Sequence, residues 1–174
     1  MTLKVTNTSD RLVIESESPE ETLAAARCLG EALFSGACIA LYGELGSGKT
    51  VFARGVIHGL GVAESVAVTS PTFVIVSEYE GRFPIHHVDA YRLAGTKDLF
   101  DLGSRELFYS GAVSIVEWAD RVAEELPEER LDAALALLGP SARRIEITSR
   151  GEKHRTLLAA LGAATRKIPD VTTT

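Results

Sequence analysis

One octapeptide stands out in the chain, Gly43-Glu44-Leu45-Gly46-Ser47-Gly48-Lys49-Thr50. It matches the pattern G-x-x-x-x-G-K-S/T at every position. Glycines let the backbone turn tightly, so that successive N–H groups face a concavity that suits anionic oxygens. In such loops the lysine reaches the β- and γ-phosphates of a nucleotide, and the Ser/Thr hydroxyl ligates Mg²⁺. The octapeptide therefore predicts a phosphate-binding loop.

The residues on either side of the loop support this prediction. The apolar run Cys38–Tyr42 is typical of a short buried strand. After the loop, apolar residues recur at helical spacing on one face, namely Phe52, Val56, Ile57 and Leu60. A helix that begins near Gly48 would direct the positive end of its dipole at the loop. Strand, loop and helix follow one another in the order that phosphate binding requires.

Composition indicates a protein with one sizeable core. The chain has 174 residues, of which 45% are hydrophobic. No apolar run approaches the roughly 20 residues that span a bilayer, and the N-terminus lacks the apolar core of a signal peptide. We therefore expect a cytoplasmic protein without a membrane partner. Cys28 and Cys38 form neither a disulfide framework nor a metal pattern, so we expect them to be small buried residues.

Charge is unevenly distributed along the chain. The net charge is −6, which argues against a broad nucleic-acid surface. From Ser141 to the end, seven Lys/Arg and three Asp/Glu give +4, and the other 140 residues give −10. This basic end is either a solvated tail or a contact surface for RNA or an acidic partner.

Strand and helix patterns alternate in the first half of the chain, and hairpin patterns appear in the second half. The predicted strands cover residues 11–17, 38–42, a stretch ending near Glu78, 83–88, 112–116, 131–138 and 144–148. The predicted helices cover residues 19–33, the segment after the loop up to Gly59, residues 96–108 with a break near Gly103, an acidic piece ending near Arg130, and residues 157–164.

These patterns predict an α/β fold of the P-loop NTPase type. We expect three layers, with a mixed, mainly parallel sheet and antiparallel edge strands. Residues 1–151 are predicted to form a single P-loop ATPase domain. Residues 152–174 are predicted to be a C-terminal tail, partly helical or disordered, with a loose end from Val171.

Two carboxylates stand at the ends of predicted strands. Asp89 follows Ile85-His86-His87-Val88, and Glu117 follows Val113-Ser114-Ile115-Val116. An acidic residue at the carboxyl end of a buried strand faces the crevice in which α/β sheets bind ligands. Each carboxylate is therefore a candidate to hold Mg²⁺, directly or through water.

Four further side chains lie in or near the predicted site. Thr72, in a loop, is a candidate to sense Mg²⁺ and the γ-phosphate, although Ser-Pro-Thr is also an ordinary turn. His86 and His87 face opposite ways on a strand, and we expect His87 to be a packed or hydrogen-bonded histidine rather than a metal ligand. Trp118 is expected to be a wall residue, in the core or at the rim of the site.

The scarcity of Gln and Asn excludes some classes of nucleotide-binding protein. The chain has no Gln, so a Gln that orients water is impossible, and its single Asn, Asn7, excludes the N-K-x-D element that reads guanine. Adenine is thus the favoured base. A small-molecule P-loop kinase remains an alternative. It would need an acceptor pocket and a lid with arginines, for which only Arg92, Arg105 and Arg121 lie in plausible places. A nucleotide-gated binding module with negligible hydrolysis is the second alternative.

Four motifs together resemble the bacterial TsaE family (formerly YjeE). They are Gly43-Glu-Leu-Gly-Ser-Gly-Lys-Thr50, Ser70-Pro-Thr-Phe73, His87-Val-Asp-Ala-Tyr-Arg92 and Glu117-Trp118. Their order and spacing are those of the family, over about residues 18–151. The departures are mild, since Glu44, Ser47 and Val51 stand where Asp, Ala and Thr are usual.

The resemblance implies a weak ATPase that binds ATP or ADP with Mg²⁺. Such proteins act with a TsaD–TsaB complex, which threonylcarbamoylates adenosine 37 of tRNA, so that tRNA is met indirectly. On this pattern Thr50 and Glu117 ligate Mg²⁺, Asp89 assists Mg²⁺ or water, and Thr72 is switch-like. The residues implied to hold the nucleotide are Glu44, Leu45, Gly46, Ser47, Gly48, Lys49, Thr50 and Val51, with Trp118 lining the pocket and Thr22 and Arg143 flanking adenine.

Overall fold

The structure is a computed structural model that describes residues 4–8, 10–71 and 74–165, with side chains described up to residue 162. The strands are β1 (Lys4–Asn7), β2 (Arg11–Ser16), β3 (Cys38–Tyr42), β4 (Val76–Glu80), β5 (Pro84–Asp89), β6 (Val113–Glu117), β7 (Arg130–Leu137) and β8 (Arg143–Arg150). The helices are α1 (Pro19–Ala32), α2 (Lys49–Gly59), α3 (Thr96–Asp101), α4 (Ser104–Tyr109) and α5 (Glu152–Thr165).

All eight strands form one sheet in the order β1-β2-β8-β7-β3-β6-β5-β4. The central strands β7, β3, β6 and β5 are mutually parallel. Antiparallel strands continue the sheet on both sides, with β8, β2 and β1 beyond β7 and β4 beyond β5. The predicted mixed α/β class is confirmed. Of the seven pairings three are parallel, so the sheet is partly rather than mainly parallel.

Two hydrophobic clusters cover the two faces of the sheet. The larger joins α1, α2 and α5 to one face and contains Phe52, Ile57, Leu29, Ile39 and Ile115. The smaller joins α3, α4 and the segment after β6 to the other face, around Val88, Leu99, Phe108 and Val116. β3 contributes to both, since Ile39 and Leu41 face one cluster and Cys38 and Ala40 face the other. The three-layer arrangement therefore buries β3, which leads into the octapeptide, on both sides.

Most predicted elements are present. The strand Cys38–Tyr42 has the predicted bounds, α2 ends at Gly59, and the helical pattern over residues 96–108 is broken at Gly103, whose φ is +87°. The predicted acidic helix before Arg130 is wrong, because only a 3₁₀ turn over Ala119–Val122 forms there. β1 was not predicted, since only one of its four residues, Val5, is apolar and none of the four is buried.

The segment after Gly151 begins with a helix. α5 starts five residues earlier than the predicted helical stretch, and Leu157, Leu158 and Leu161 are buried against the main core. The predicted looseness from Val171 onward falls outside the described residues. No helix in the described ranges is long and apolar enough to cross a membrane.

Glycines let α1 and α2 pack closely, which sets the helix behind the octapeptide. A Cβ added at Gly55 would lie 2.5 Å from the carbonyl oxygen of Leu23 and 2.6 Å from the Cβ of Ala26. A Cβ at Gly59 would lie 2.9 Å from the Cα of Gly30. Real Cβ atoms do not approach other atoms so closely, so the two backbones can meet only where side chains are missing.

Gly55→Ala tests this packing. Alanine raises helix propensity by about 1 kcal/mol, but overpacking against a fixed carbonyl typically costs about 1–3 kcal/mol, and we expect the loss to prevail. Urea unfolding should show a lower free energy of unfolding. The control is Gly95→Ala, where an added Cβ meets nothing within 4 Å; equal unfolding midpoints for the two variants would contradict the prediction.

Candidate functional site

The octapeptide forms the connection between β3 and α2. Gly43, Gly46 and Gly48 have φ values of +142°, +79° and +102°, which side-chain-bearing residues rarely adopt. Gly48 is the N-terminal cap of α2, and no side chain caps that end of the helix. The first N–H groups of α2 therefore point toward the loop, where they can receive an anion.

The interior of the loop is narrow and polar. A Cβ at Gly43 would lie 2.5 Å from the carbonyl oxygen of Leu135 and 2.6 Å from Ser47 Oγ. The hydroxyl of Ser47 is buried and has no hydrogen-bond partner among the described residues. An unpaired buried hydroxyl inside a glycine-lined cradle fits a loop built around an anionic group.

Lys49 is folded back onto the loop. Its ammonium donates to the carbonyl oxygens of Gly43 (2.6 Å) and Glu44 (2.8 Å). The same nitrogen lies 3.8 Å from the ring centroid of Trp118, within the range of a cation–π contact. Burial lowers the pKa of Lys49, against the opposing charges of Glu117, Asp89 and Asp120. The ammonium is thus held in a polar, acidic pocket at the mouth of the loop.

The two strand-end carboxylates lie beside each other. Asp89 and Glu117 are partners in the parallel register of β5 and β6. Thr50 Oγ1 donates to Glu117 Oε2 at 2.9 Å, and Glu117 is only 2% exposed. A hydroxyl and a carboxylate are oxygen ligands of the kind that Mg²⁺ prefers. The described residues contain no cluster of three His, Cys, Asp or Glu side chains that could hold a metal, so this donor pair suits an ion that also takes phosphate and water oxygens.

Asp89 is engaged through both of its oxygens. Ser70 Oγ donates to Oδ2, and the Tyr91 N–H donates to Oδ1 at 2.9 Å. The carboxylate thereby caps the 3₁₀ turn over Ala90–Arg92 and ties it to the loop that carries Ser70. Sequence reasoning did not single out Ser70, although it belongs to the quoted Ser-Pro-Thr-Phe motif. Thr72, predicted as a switch-like residue, lies outside the described residues.

His87 holds the other side of Glu117. The fully buried ring lies with Nε2 2.8 Å from Glu117 Oε1. Because a carboxylate oxygen only accepts, Nε2 carries the proton. Nδ1 has no partner among the described residues. His87 is thus the hydrogen-bonded histidine that we expected, and it completes a chain from Thr50 through Glu117.

Trp118 forms a wall of the site in an unusual backbone conformation. Its φ of 57° and ψ of 42° lie in the left-handed region, which costs a bulky residue about 1–3 kcal/mol. The indole packs against Tyr91 with ring centroids 4.9 Å apart, and the guanidinium of Arg121 lies 5.3 Å from the Tyr91 ring. Sequence reasoning did not assign Tyr91 to this wall.

Arg143 reaches the loop from β8, whereas Thr22 does not. Arg143 Nε donates to the carbonyl oxygen of Ser47 at 3.0 Å. The hydroxyl of Thr22 lies 2.7 Å from Ser16 Oγ and also donates to the backbone of Ser18, and the residue is 1% exposed. Its contact with adenine stays a prediction, because in this structure the side chain is turned into the protein.

One cleft of about 480 Å³ brings most of the predicted residues together, although Glu44 and Ser47 of the loop do not line it. Its walls include Leu45, Gly46, Gly48, Lys49, Thr50, Val51, Ser70, Asp89, Tyr91, Glu117, Trp118 and Arg143. The cleft lies at the carboxyl ends of parallel strands, where α/β sheets bind ligands. This fold, with a phosphate-type loop between a buried strand and a helix, defines a P-loop α/β protein.

Comparison with known proteins identifies the family. The family model described as "Threonylcarbamoyl adenosine biosynthesis protein TsaE" matches residues 16–146. The chain therefore belongs to the TsaE family, as the four sequence motifs predicted.

Relatives cover most of the chain. A protein of Treponema pallidum named "tRNA threonylcarbamoyladenosine biosynthesis protein TsaE" is 39% identical over 132 residues, which are 76% of this chain and 96% of that protein. A Bacillus subtilis protein of the same name is 39% identical over 145 residues, 83% of this chain and 89% of that protein. The crystal structure of Bacillus subtilis YdiB matches with a TM-score of 0.77 and 33% identity, covering 92% of this chain and 97% of that one.

The bond between His87 and Glu117 can be measured by a double-mutant cycle of unfolding free energies. We expect His87→Leu and Glu117→Leu to couple by at least about 1 kcal/mol, because each single change leaves a buried polar group without its partner. His86→Leu is the matched control. His86 lies on the opposite face of β5, where its ring bonds to the carbonyl oxygen of Leu107, so its coupling to Glu117→Leu should stay within about 0.5 kcal/mol. Additive effects of His87→Leu and Glu117→Leu would contradict the prediction.

Proposed function

We propose that this protein is a cytoplasmic, Mg²⁺-dependent ATP-binding subunit that hydrolyses ATP slowly. It is required for the threonylcarbamoylation of tRNA adenosine 37, acts with a TsaD–TsaB-like complex, and meets tRNA through that complex. Membership in the TsaE family supports the pathway. The observation that carries the chemistry is the linked set Thr50–Glu117–His87 at the mouth of the phosphate-type loop.

The loop would hold the phosphates of ATP or ADP through backbone N–H groups from Glu44 to Val51. Lys49 would exchange its two carbonyl partners for phosphate oxygens, which are charged and make stronger hydrogen bonds. Trp118 and Arg143 would bound the nucleotide on two sides. The absence of the guanine-reading element favours adenine as the base.

Thr50 and Glu117 would hold Mg²⁺, which when bound supplies positive charge beside the β- and γ-phosphates. His87 would keep the Glu117 carboxylate turned toward Thr50. Asp89 would assist through water or by fixing the turn that carries Tyr91, since both of its oxygens already accept hydrogen bonds.

Slow turnover follows from what surrounds the loop. The chain has no Gln to orient water. The Glu117 carboxylate accepts a hydrogen bond from Thr50, and the Asp89 carboxylate accepts one from Ser70. Lys49 is bound to the carbonyl oxygen of Gly43 at the mouth of the loop. We infer that the TsaD–TsaB-like complex completes the catalytic arrangement, and that hydrolysis resets the complex between turnovers. The basic end after Ser141 stays a predicted contact with the partner or tRNA.

Lys49→Ala tests the proposal. We expect loss of nucleotide binding and a drop of at least about 100-fold in ATP hydrolysis, because the variant lacks the charge that faces the phosphates. Turnover should be measured with Mg²⁺, first for the chain alone and then with the TsaD–TsaB pair and tRNA, alongside tRNA modification. Lys97→Ala, on the exposed surface of α3, is the matched control. Full modification by Lys49→Ala would overturn the proposal, as would ATP binding by the wild type with no response to the pair.

Variants of the two carboxylates should differ in the Mg²⁺ concentration that ATP binding requires. Glu117→Gln is expected to raise the Mg²⁺ concentration for half-maximal ATP binding by about tenfold or more, because it removes the charge adjacent to Thr50. Asp89→Asn is expected to lower turnover with a smaller effect on that concentration. Titrations of a fluorescent ATP analogue with Mg²⁺ give both values. The reverse order would assign the direct ligand to Asp89 instead.

A further inference from the structure

A second, larger cleft of about 1030 Å³ lies at the opposite end of the parallel strands from the phosphate-type loop. Its walls come from the loop before β3, from α3 and α4, from residues 124–129 before β7, and from the start of α5. These are the amino-terminal ends of the parallel strands, whereas the phosphate-type loop leaves the carboxyl end of β3. The two clefts are therefore separate, so an occupant of the second cleft would not touch the nucleotide site. We call this second cleft the acidic groove.

His154, at the start of α5, is an unpaired polar group in the wall of the acidic groove. It is 3% exposed, and neither ring nitrogen has a hydrogen-bond partner among the described residues. Its ring packs on Phe34 with centroids 5.0 Å apart. Burial lowers the pKa of His154, so the neutral ring offers one donor and one acceptor. Leaving a buried polar group unpaired is destabilising, so this position suits a partner that supplies hydrogen bonds.

Aromatic side chains are exposed at the mouth of the groove. Phe100 is 60% exposed and Tyr109 is 71% exposed, and both line the groove beside the buried Phe108. Aromatic residues with exposed faces are enriched where proteins bind other proteins. The combination of aromatic faces and an unpaired ring suits an occupant with both an apolar side chain and polar backbone groups.

The rim of the groove carries net negative charge. Its acidic side chains are Glu124, Glu125, Glu128 and Glu129, and its basic ones are Arg105 and Lys153. Four negative and two positive charges give −2. Glu125 is fixed by the hydroxyl of Ser104 at 2.8 Å, and the other three glutamates are exposed. Such a rim repels phosphate groups and attracts cations, which argues against RNA as the occupant.

We propose that the acidic groove binds a basic segment of a partner protein, one that also carries an aromatic or aliphatic side chain. The apolar side chain would pack between Phe100 and Tyr109. Backbone groups of the segment would pair with the His154 ring, and Lys or Arg side chains would face the glutamates. At about 1030 Å³ the groove is slightly larger than the roughly 300–1,000 Å³ typical of small-molecule pockets, so it has room for a peptide segment.

The test is a selection of displayed random dodecapeptides on the immobilised full-length chain. Enriched peptides, made with a fluorescent label, are then titrated by anisotropy against two double variants. Glu124→Lys with Glu128→Lys reverses exposed charges of the groove. Glu78→Lys with Glu80→Lys makes the same change at exposed positions of β4, away from the groove. Thermal unfolding verifies that each variant is folded.

We expect enriched peptides with net positive charge and at least one large apolar residue. Their affinity should fall by at least about tenfold in the groove variant and by less than about twofold in the β4 variant. Tyr109→Ala should weaken binding about tenfold, and His154→Phe, which keeps a ring of similar shape, about threefold to tenfold.

Three results would overturn the proposal. The first is failure to enrich any peptide, or enrichment of acidic ones. The second is equal affinity for the wild type and the groove variant. The third is a change of oligomeric state in the groove variant by sedimentation velocity, which would show that a second copy of this chain occupies the groove.

Discussion

The parallel register of β3, β6 and β5 is the constraint on which the site depends. It places Asp89 directly beside Glu117 and both of them at the edge where β3 opens into the phosphate-type loop. A shift of one residue in β6 would turn Glu117 to the other face of the sheet, away from Thr50. Because the central strands are buried on both faces by apolar side chains, such a shift would also exchange side chains between the two clusters and disrupt the packing of both. Packing of the core thus fixes the geometry of the charged groups.

The loop is held in shape from several directions. Glycines allow α1 to press against α2, which sets the direction of the helix that receives the loop. Arg143 ties the loop carbonyls to β8, and Lys49 bridges two of them from inside. The strained backbone at Trp118 is held in place by the contacts of the indole with the Lys49 ammonium and the Tyr91 ring. The site is therefore largely pre-organised by contacts within the chain.

The sequence predicted the features that depend on local pattern. The octapeptide, the strand before it and the helix after it follow from motif and periodicity, and Asp89 and Glu117 could be named because each directly follows an apolar strand. Contacts between residues that are far apart in the sequence could not be predicted from motif and periodicity. The contact of His87 with Glu117 joins residues 30 positions apart and needs the register of β5 and β6. The contact of Tyr91 with Trp118 also joins distant segments, and no local pattern indicates the left-handed backbone of Trp118.

The errors have equally physical reasons. The residues after Trp118 were predicted to continue as a helix to about Arg130, but only the turn over Ala119–Val122 forms. Pro127 lacks the N–H that a helix would need at that position. Thr22 is a different case, because its contact with adenine came from the family resemblance and stays a prediction. In the structure its hydroxyl bonds to the hydroxyl of Ser16 and to the backbone of Ser18. Local propensity does not reveal which of two polar partners a side chain will take.

Trp118 also has a consequence for spectroscopy. It is the only tryptophan in the chain, so the intrinsic indole emission of this protein comes from a single position. That indole lies 3.8 Å from the Lys49 ammonium, and its emission wavelength depends on the electric field across the ring. A group that draws Lys49 away from the indole must change this field. The protein therefore carries an optical reporter of its own loop, without any label.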